Sequence, residues 1–352
     1  MKILVFIDHM ASGGAARVTS IMCNGLSSKG YDVVLAFDRQ RPMLYGCGDN
    51  ITIIDNHVAR KGKSHLAGIV QMSERIRKYH QIINYTHPDI IIGVEPEPYL
   101  CARMASLCKS VHVIAADHTS YSHRQHWFTH WIRWHAYKWA DCVSILSHTD
   151  EQILKNKIPN KVVIYNPISF PVYDGNIKRE KIVLCVGRKD AWQIKGFDRM
   201  IRIWESISSS NPEWKLVIAG IDGVPPLSSI LYAGQIKNMQ DLYQRAAIFA
   251  LPSRVEGFPM CLLEAASQGC ACISYELGGI ISEIYVSPEE GIIVSDNDDD
   301  MFAQKLNEMI NSPEYQQKCS YNIRNRMNEF SQEKFISSWD SLIKSLLPYE
   351  HC

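Results

Sequence analysis

Two glutamates stand eight positions apart in the segment Val255–Gly269, which reads Val-Glu-Gly-Phe-Pro-Met-Cys-Leu-Leu-Glu-Ala-Ala-Ser-Gln-Gly. Pro259 suits the first position of a helix and Gly269 suits its end, which places Glu256 in a loop and Glu264 about one turn inside the helix. Backbone N–H groups at the start of a helix attract anions, so two carboxylates there need partners of their own. Sugar and ribose hydroxyls are suitable partners, because they donate strong hydrogen bonds to carboxylates.

Two basic residues lie in an earlier segment, Val186–Phe197, which contains Gly187-Arg188 and Lys195-Gly196. Arg188 follows an apolar run that reads as a strand, and Lys195 precedes a predicted helix. Cations at a strand end and a helix start can clamp a diphosphate, adding charge to what the backbone amides supply.

The first predicted domain offers two weaker candidates. Gly13 and Gly14 stand before a predicted helix, where glycine lets the backbone approach a bound group closely. They are not the dinucleotide-binding signature, because no third glycine follows at the required spacing. His118 follows another predicted strand, where a histidine can bind a sugar or an acceptor, or relay a proton.

Short apolar runs that alternate with helix-length segments predict parallel α/β domains. Predicted strands of the first half are Lys2–Ile7, Asp32–Phe37, Ile51–Asp55, Ile90–Val94, Val111–Ala115, Cys142–Leu146 and Val162–Tyr165. After a polar linker the pattern restarts, with strands at Lys181–Val186, Trp214–Ala219, Ile248–Leu251, Ala271–Tyr275 and Gly291–Val294. Helices are predicted over Phe197–Ser208, Met260–Ser267, Met301–Asn311 and Pro313–Leu347. We therefore expect two doubly wound domains, 1–168 and 180–332, and a C-terminal helix, 333–352, that returns toward the first domain.

Composition excludes several classes of protein. The 352 residues carry no net charge, which gives no bulk electrostatic reason to bind nucleic acid. Eleven scattered cysteines without a Cys-x-x-Cys pair indicate reduced, mostly buried thiols in a cytoplasmic protein. No signal peptide and no membrane span are predicted. The acidic run 296–300 is interpreted as a loop whose aspartates cap the next helix, and no metal site is predicted.

The segment 122–140 is rich in tryptophan. Trp127, Trp131 and Trp134 recur at helical spacing, with Arg133 and Lys138 between them. Such a helix could lie at the cytoplasmic face of the inner membrane, or it could pack its aromatic side chains on the core of the first domain.

Four blocks of the sequence resemble the family 4 glycosyltransferases of the GT-B type, which have two Rossmann-like domains facing a central cleft. The blocks are Gly13–Val18, Gly187-Arg188 with Lys195-Gly196-Phe197, Glu256–Glu264, and Tyr165–Ile168. Their order and spacing match the family across nearly the whole chain, and the block with the two glutamates is the most specific.

The resemblance implies a retaining transfer of a sugar from a nucleotide-diphosphate donor, with no metal or other cofactor. It assigns the diphosphate to Arg188 and Lys195, the donor sugar to Glu256, and the ribose to Glu264. The amides of Gly257 and Phe258 would face the sugar or phosphate, Gly13 and Gly14 would belong to a loop over the donor, and His118 would match the active-site histidine. A UDP-sugar donor, bound by the second domain, and a glycan or lipid-linked acceptor, bound by the first, are expected by analogy.

Three alternatives stay open at this point. A nicotinamide dehydrogenase also begins with a strand, a glycine loop and a helix, but it requires a third glycine and leaves the Arg188/Lys195 pair and the two glutamates unexplained. A non-catalytic nucleotide-sugar or carbohydrate-binding protein on the same fold would bind a donor without turnover. A nucleotide-sugar epimerase has the same double-domain shape.

Overall fold

A computed structural model describes residues 1–11, 13–59, 65–121, 126–175 and 178–347 of the chain. The chain divides into two compact units, Met1–Asn166 together with the segment from Gln332 onward, and Pro167–Ser331. Ile168, which we assigned to the first domain, belongs to the second unit, where its backbone N–H donates to Phe330 O at 2.8 Å. The binding of donor and acceptor by different domains stays a prediction.

The first unit is built on a parallel sheet of seven strands in the order β3-β2-β1-β4-β5-β6-β7. Its strands are β1 (Lys2–Phe6), β2 (Asp32–Phe37), β3 (Thr52–Asp55), β4 (Ile90–Val94), β5 (His112–Ala116), β6 (Cys142–Ile145) and β7 (Lys161–Val163). The central strands are buried along their length, as apolar strands covered by helices on both faces must be.

Helices connect these strands and cover the sheet. They are α1 (Gly14–Ser28), α2 (His65–Thr86), α3 (Pro96–Ala105), α4 (Trp127–Trp134) and α5 (His148–Ile153), and the chain returns to this unit with α12 (Gln332–Ser345). Helix α12 packs on α1, where the Tyr31 hydroxyl beyond the end of α1 donates to Asp340 Oδ1 at 2.5 Å.

The second unit holds a parallel sheet of six strands in the order β10-β9-β8-β11-β12-β13. The strands are β8 (Glu180–Val186), β9 (Lys215–Ala219), β10 (Ile230–Tyr232), β11 (Ala246–Leu251), β12 (Ala271–Tyr275) and β13 (Ile292–Val294). The helices are α6 (Phe197–Ile207), α7 (Met239–Arg245), α8 (Met260–Ser267), α9 (Ile280–Ile284), α10 (Asp299–Ile310) and α11 (Pro313–Arg326). The two sheets confirm the predicted doubly wound α/β class.

Most element predictions are correct to within one or two residues, and the errors have local causes. The short edge strand β10 was not predicted, because only three residues pair and Leu231 is half exposed. Pro259 precedes α8 as its N-cap residue and is not the first helical residue. The segment Pro313–Leu347, predicted as helical, forms two helices, because a 3-10 turn at Met327–Phe330 separates α11 from α12.

Two predictions from the sequence concern membrane-spanning helices and cysteines. Over the described ranges, no helix combines the length and the apolar character that a membrane-spanning segment requires. The described cysteines are all free thiols and most are buried, as expected.

The predicted capping aspartate is also confirmed, because the Asp298 side chain accepts from Met301 N at the start of α10.

The packing of α12 on α1 predicts a difference between two helical glycines. A side chain at Gly25 would meet Ile336 Cδ1 at 2.1 Å, whereas one at Gly68 of α2 would meet nothing within 4 Å. Both gain helix propensity when replaced. We expect Gly25→Leu to lower the free energy of unfolding by about 1–3 kcal/mol through overpacking, and Gly68→Leu to leave it equal or raise it. Urea unfolding measures both, and equal stability of the two variants would contradict the close helix contact.

Candidate functional site

Two loops of the second unit begin at neighbouring strands. Strands β8 and β11 pair in parallel, with Val183 beside Ile248 and Leu184 beside Phe249. The loop after β8 carries Arg188 and Lys195, and the loop after β11 carries Glu256. The carboxyl ends of parallel strands lie at one edge of the sheet, where doubly wound domains bind their ligands. The sheet therefore brings together residues that are far apart in the sequence.

Lys195 and Glu256 form an ion pair. Lys195 Nζ lies 2.7 Å from Glu256 Oε1, and the Ser253 hydroxyl donates to the same oxygen at 2.6 Å. Burial is the largest single effect and would lower the pKa of Lys195, but the charge and hydrogen bond of Glu256, together with Cys261, raise it overall. The lysine therefore stays charged. Within the described residues, the hydrogen bonds that this carboxylate accepts from Lys195 and Ser253 both use Oε1.

Arg188 lies near this pair and is open to solvent. Its side chain is 54% exposed, and its Nε lies 3.3 Å from Asp190 Oδ1. The positive charge of Arg188 repels that of Lys195 and so acts to lower the pKa of Lys195. The structure thus brings the two predicted cations together, with the arginine on the solvent side.

Glu264 lies in α8, as predicted, and is buried among hydrogen-bond donors. The Ser169 hydroxyl donates to its Oε1 at 2.7 Å, and the Tyr243 hydroxyl donates to its Oε2 at 2.9 Å. Cys261 links the two glutamates: burial raises the pKa of its thiol to about 12, and Lys195, Glu256 and Glu264 all act on it electrostatically. The four charged donor residues predicted from the sequence therefore form one cluster.

Gly257 and Phe258 connect Glu256 to the start of α8. The Phe258 ring is buried with its centroid 5.7 Å from that of Phe330, which fixes this part of the loop. Gly257 is partly exposed. The backbone amides of these two residues precede the start of α8. Their contact with the sugar or phosphate stays a prediction.

Two arginines that the sequence did not single out hold the loops in place. Arg199 of α6 is 3% exposed and donates to the carbonyl oxygens of Pro252 and Ser253, both at 2.7 Å. Arg254 pairs with both carboxylate oxygens of Asp198, at 2.7 and 2.8 Å, and its backbone N–H donates to Ile194 O at 2.8 Å. These bonds tie the Glu256 loop to the Lys195 loop.

The approach of the two loops also requires a glycine. Gly196 adopts a φ of +68°, and a Cβ atom there would lie 1.9 Å from Pro252 O. Any side chain at this position would push the loops apart. The glycine in the predicted Lys-Gly-Phe block is therefore explained by backbone packing beside Lys195.

Gly13 and Gly14 lie at the start of α1 in the first unit, as predicted. Gly13 is the N-cap residue, with a φ of 146°, and both glycines are exposed. The preceding Ser12 lies outside the described residues. The role of the two glycines in a loop over the donor stays a prediction.

His118 follows β5 in a loop that Arg133 contacts through hydrogen bonds. Burial lowers the pKa of His118 to about 4, against smaller opposing effects of Asp117 and Asn166, so the imidazole is neutral at physiological pH. It can accept or donate a hydrogen bond there, but it cannot serve as a charged acid. The loop itself is held by Arg133, whose Nε donates to Asp117 Oδ2 at 2.6 Å and whose other nitrogens donate to the carbonyls of Thr119 and Ser120.

The tryptophan-rich segment differs from its prediction as a single helix. It forms α4 and then a 3-10 turn at Ala136–Trp139, while residues 122–125 lie outside the described range. The interpretation of Arg133 as a basic residue on a membrane-facing surface is wrong, because its side chain is 2% exposed and forms an ion pair with Asp117. Trp134 packs edge-on against Tyr121 and under Lys157, whereas Trp127, Trp131 and Trp139 are 67%, 39% and 48% exposed. One side of the segment thus packs on the first unit and the other faces solvent. Contact with a membrane stays a prediction.

Comparison with known protein families gives two adjoining matches. Residues 12–170 match the family described as Glycosyltransferase Family 4, and residues 174–326 match the family described as Glycosyl transferases group 1. Together the two matches span the parts of the chain that carry the four blocks.

Similar proteins include bacterial glycosyltransferases. The chain is 25% identical to the amylovoran biosynthesis glycosyltransferase AmsD of Erwinia amylovora, covering 97% of this chain and 99% of that protein. It is 21% identical to a Campylobacter jejuni α-1,4-N-acetyl-D-galactosaminyltransferase that is named for an undecaprenol-diphosphate-linked glycan, covering 97% and 98%.

Solved structures agree with the fold. Sucrose-phosphate synthase from Thermosynechococcus elongatus matches with a TM-score of 0.81 at 17% identity, covering 98% of both chains. Anabaena HepE in complex with UDP-glucose matches with a TM-score of 0.75 at 14% identity, covering 98% of this chain and 100% of that one. These likenesses confirm the GT-B fold. The family matches decide against the dehydrogenase, the epimerase and the non-catalytic binding protein. The chain belongs to the group 1, family 4 type of glycosyltransferases and is a glycosyltransferase.

Proposed function

We propose that this glycosyltransferase is a retaining, metal-independent enzyme that moves a sugar from a UDP-sugar to a glycan or lipid-linked acceptor in the assembly of a bacterial surface polysaccharide. The observation that carries the proposal is the cluster of four charged residues in the second unit. Arg188, Lys195 and Glu256 lie on loops tied together by Arg254, and Glu264 lies on the adjoining helix α8. It offers cations for a diphosphate beside carboxylates for hydroxyl groups. HepE, a structural neighbour, is described in complex with UDP-glucose, and the named relatives act in amylovoran synthesis and on an undecaprenol-diphosphate-linked glycan.

The charges fit the bond changes of such a transfer. The bond between the anomeric carbon and the β-phosphate oxygen breaks, the acceptor oxygen bonds to that carbon, and the acceptor proton passes to the departing phosphate. Negative charge grows on the diphosphate in the transition state, where Arg188 and Lys195 would stabilise it more than in the ground state. Two fixed positive charges take the part that a metal ion has in other transferases. Glu256 and Glu264 would anchor hydroxyls at the two ends of the donor.

His118 would take an acceptor-side role in this scheme. As a neutral imidazole it can hydrogen-bond a sugar hydroxyl without competing for the proton that passes to the phosphate. Loss of transfer with unchanged stabilisation by UDP in a His118→Ala variant would support this placement.

The exposed tryptophans suggest how a lipid-linked acceptor reaches the enzyme. Trp127, Trp131 and Trp139 lie on one segment with the exposed Lys138, and the sequence has no acidic residue from His118 to Ala140. Tryptophan and lysine are favoured at the interface of an anionic membrane. We therefore include peripheral contact with the inner membrane in the proposal.

Replacement of Glu256 tests the sugar-binding role. We expect Glu256→Ala to lower kcat for transfer roughly 100-fold or more, since a hydrogen bond made to the reacting sugar is lost. The exposed Glu205 of α6 is the matched control, and Glu205→Ala should transfer at the wild-type rate. Turnover of UDP-sugars onto polyprenyl-diphosphate-linked acceptors, followed by NMR of the product anomer, measures the rate and the stereochemistry. Unchanged turnover of Glu256→Ala, an inverted product, or transfer abolished by EDTA would each overturn the corresponding part of the proposal.

Replacement of Arg188 tests the diphosphate site. UDP should raise the unfolding temperature of the wild-type chain more than GDP does. Because a charge-assisted hydrogen bond is lost, Arg188→Ala should weaken UDP binding roughly 10- to 100-fold. The next residue, Lys189, is also exposed, and Lys189→Ala serves as the control with near-normal binding. A larger stabilisation by GDP would reassign the base, and equal UDP binding in both variants would remove Arg188 from the site.

Vesicle binding tests the membrane contact. The double variant Trp127→Ala/Trp131→Ala should lose roughly tenfold or more of its partition to vesicles of phosphatidylethanolamine and phosphatidylglycerol, because two large apolar surfaces no longer insert. Tyr85 of α2 is 80% exposed, and Tyr85→Ala is the control. Co-sedimentation that is equal for all three proteins would contradict the proposed surface.

A further inference from the structure

Glu95 has a backbone conformation that glycine normally occupies. It follows β4 directly and precedes Pro96, the first residue of α3, with a φ of 74° and a ψ of 159°. Side chains are rarely found at these angles, and a residue before proline ordinarily has a negative φ. Strain of this kind is concentrated at ligand-binding and catalytic sites, where a particular side chain is needed in spite of its cost.

The fold explains the backbone at this position but not the side chain. Glu95 is the N-cap residue of α3, yet its carboxylate makes no capping hydrogen bond to the helix. Its backbone N–H donates to Ala116 O at 2.9 Å, a bond that glycine would make equally well. A glutamate here therefore needs a reason other than the helix start or the sheet.

The position of Glu95 in the sheet supplies such a reason. β4 lies beside β1, and from this pair the chain continues to β2 on one side and to β5 on the other. The strand order thus reverses between β1 and β4. Doubly wound sheets bind ligands in the crevice at the carboxyl ends of such strands. Glu95 is the first residue after β4 at that end.

The groups around the Glu95 carboxyl come from the His118 loop and from the segment around α4. The Thr119 side chain hydrogen-bonds to it, and Asp117, Arg133 and Tyr137 interact with its charge. Burial and then Asp117 raise the pKa of Glu95 to about 8, against the opposing effects of Arg133 and Thr119. The pKa values of Arg133 and Tyr137 are also raised, which moves their titration further above neutral pH. Asp117 forms an ion pair with Arg133.

We propose that Glu95 is a further acceptor-binding residue, whose ionised carboxyl group accepts a hydrogen bond from the acceptor hydroxyl that attacks the donor sugar. This inference rests on the proposed sugar transfer. The hydrogen bond points the oxygen lone pair of the acceptor at the anomeric carbon, while the proton still passes to the departing phosphate. Glu95, after β4, and the neutral His118, after the neighbouring strand β5, then act on the same substrate from the same end of the sheet.

The proposal predicts a specific kinetic pattern for substitutions of Glu95. Glu95→Ala should lower kcat/KM for the acceptor at least roughly tenfold, because a charge-assisted hydrogen bond is lost, while UDP-induced stabilisation and the KM for the UDP-sugar stay within about twofold. Glu95→Gln should recover part of the loss, since the amide keeps an acceptor oxygen. The assay uses UDP-sugars with polyprenyl-diphosphate-linked sugars, and the exposed Glu97→Ala is the control on the same helix.

The pH profile and the stability separate this role from a structural one. In the wild-type chain, kcat/KM for the acceptor should rise between about pH 7 and pH 9 as Glu95 ionises, and Glu95→Gln should lack that rise. His118, with a pKa of about 4, does not titrate in this range. Glu95→Gly should unfold at a temperature on the order of 2–4 °C higher than Glu95→Ala, because only glycine relieves the strain, while both lose transfer.

The outcomes distinguish failure of the proposed sugar transfer from failure of the proposed role of Glu95. A wild-type chain that transfers no sugar from any UDP-sugar overturns the proposed function, and the role of Glu95 with it. Transfer by the wild type that is matched by Glu95→Ala overturns only the role of Glu95. Equal losses for donor and acceptor, or a pH profile that is the same in Glu95→Gln, would show a structural effect and also overturn it.

Discussion

In each unit a buried arginine donates hydrogen bonds to the backbone of the loop that carries a candidate site residue. Arg133 donates to carbonyls of the loop that contains His118, and Arg199 donates to carbonyls of the loop that leads to Glu256. Each guanidinium also lies over a tyrosine ring, Tyr121 at 3.6 Å and Tyr275 at 3.9 Å. Loops are usually the mobile parts of a fold. Here the several donors of arginine satisfy buried carbonyls that no strand or helix serves.

The site of the second unit was largely predictable from the sequence, because its signals are local. Arg188, Lys195, Glu256 and Glu264 are charged residues in or beside glycine-containing loops, and each adjoins a clear apolar strand or helix. The order of strands and helices then places them at the same edge of the sheet. Helix α8 was predicted with its observed bounds, since Pro259 and Gly269 mark its two ends.

The remaining features depend on contacts between distant residues and could not be predicted in this way. Arg133 reads as one basic residue on an aromatic helix, and only its contact with Asp117, sixteen positions earlier, shows that it is buried. Glu95 reads as an ordinary residue of Glu-Pro-Glu-Pro, and its unusual dihedral angles are a property of the fold. Strand β10 was missed because three residues carry too little pattern to be recognised.

The Lys195–Glu256 ion pair has a consequence for the binding of small anions. A lone buried lysine would attract any small anion, and inorganic phosphate and chloride are abundant in cells. Glu256 Oε1 lies 2.7 Å from Lys195 Nζ and already balances the charge of the lysine. A simple anion that took the place of the carboxylate would gain little free energy, because it would leave Glu256 buried without its cation. A ligand that brings an anion for the lysine together with a hydroxyl for the glutamate satisfies both groups at once. Under the proposed function, the pair would therefore favour the nucleotide-sugar over simple anions.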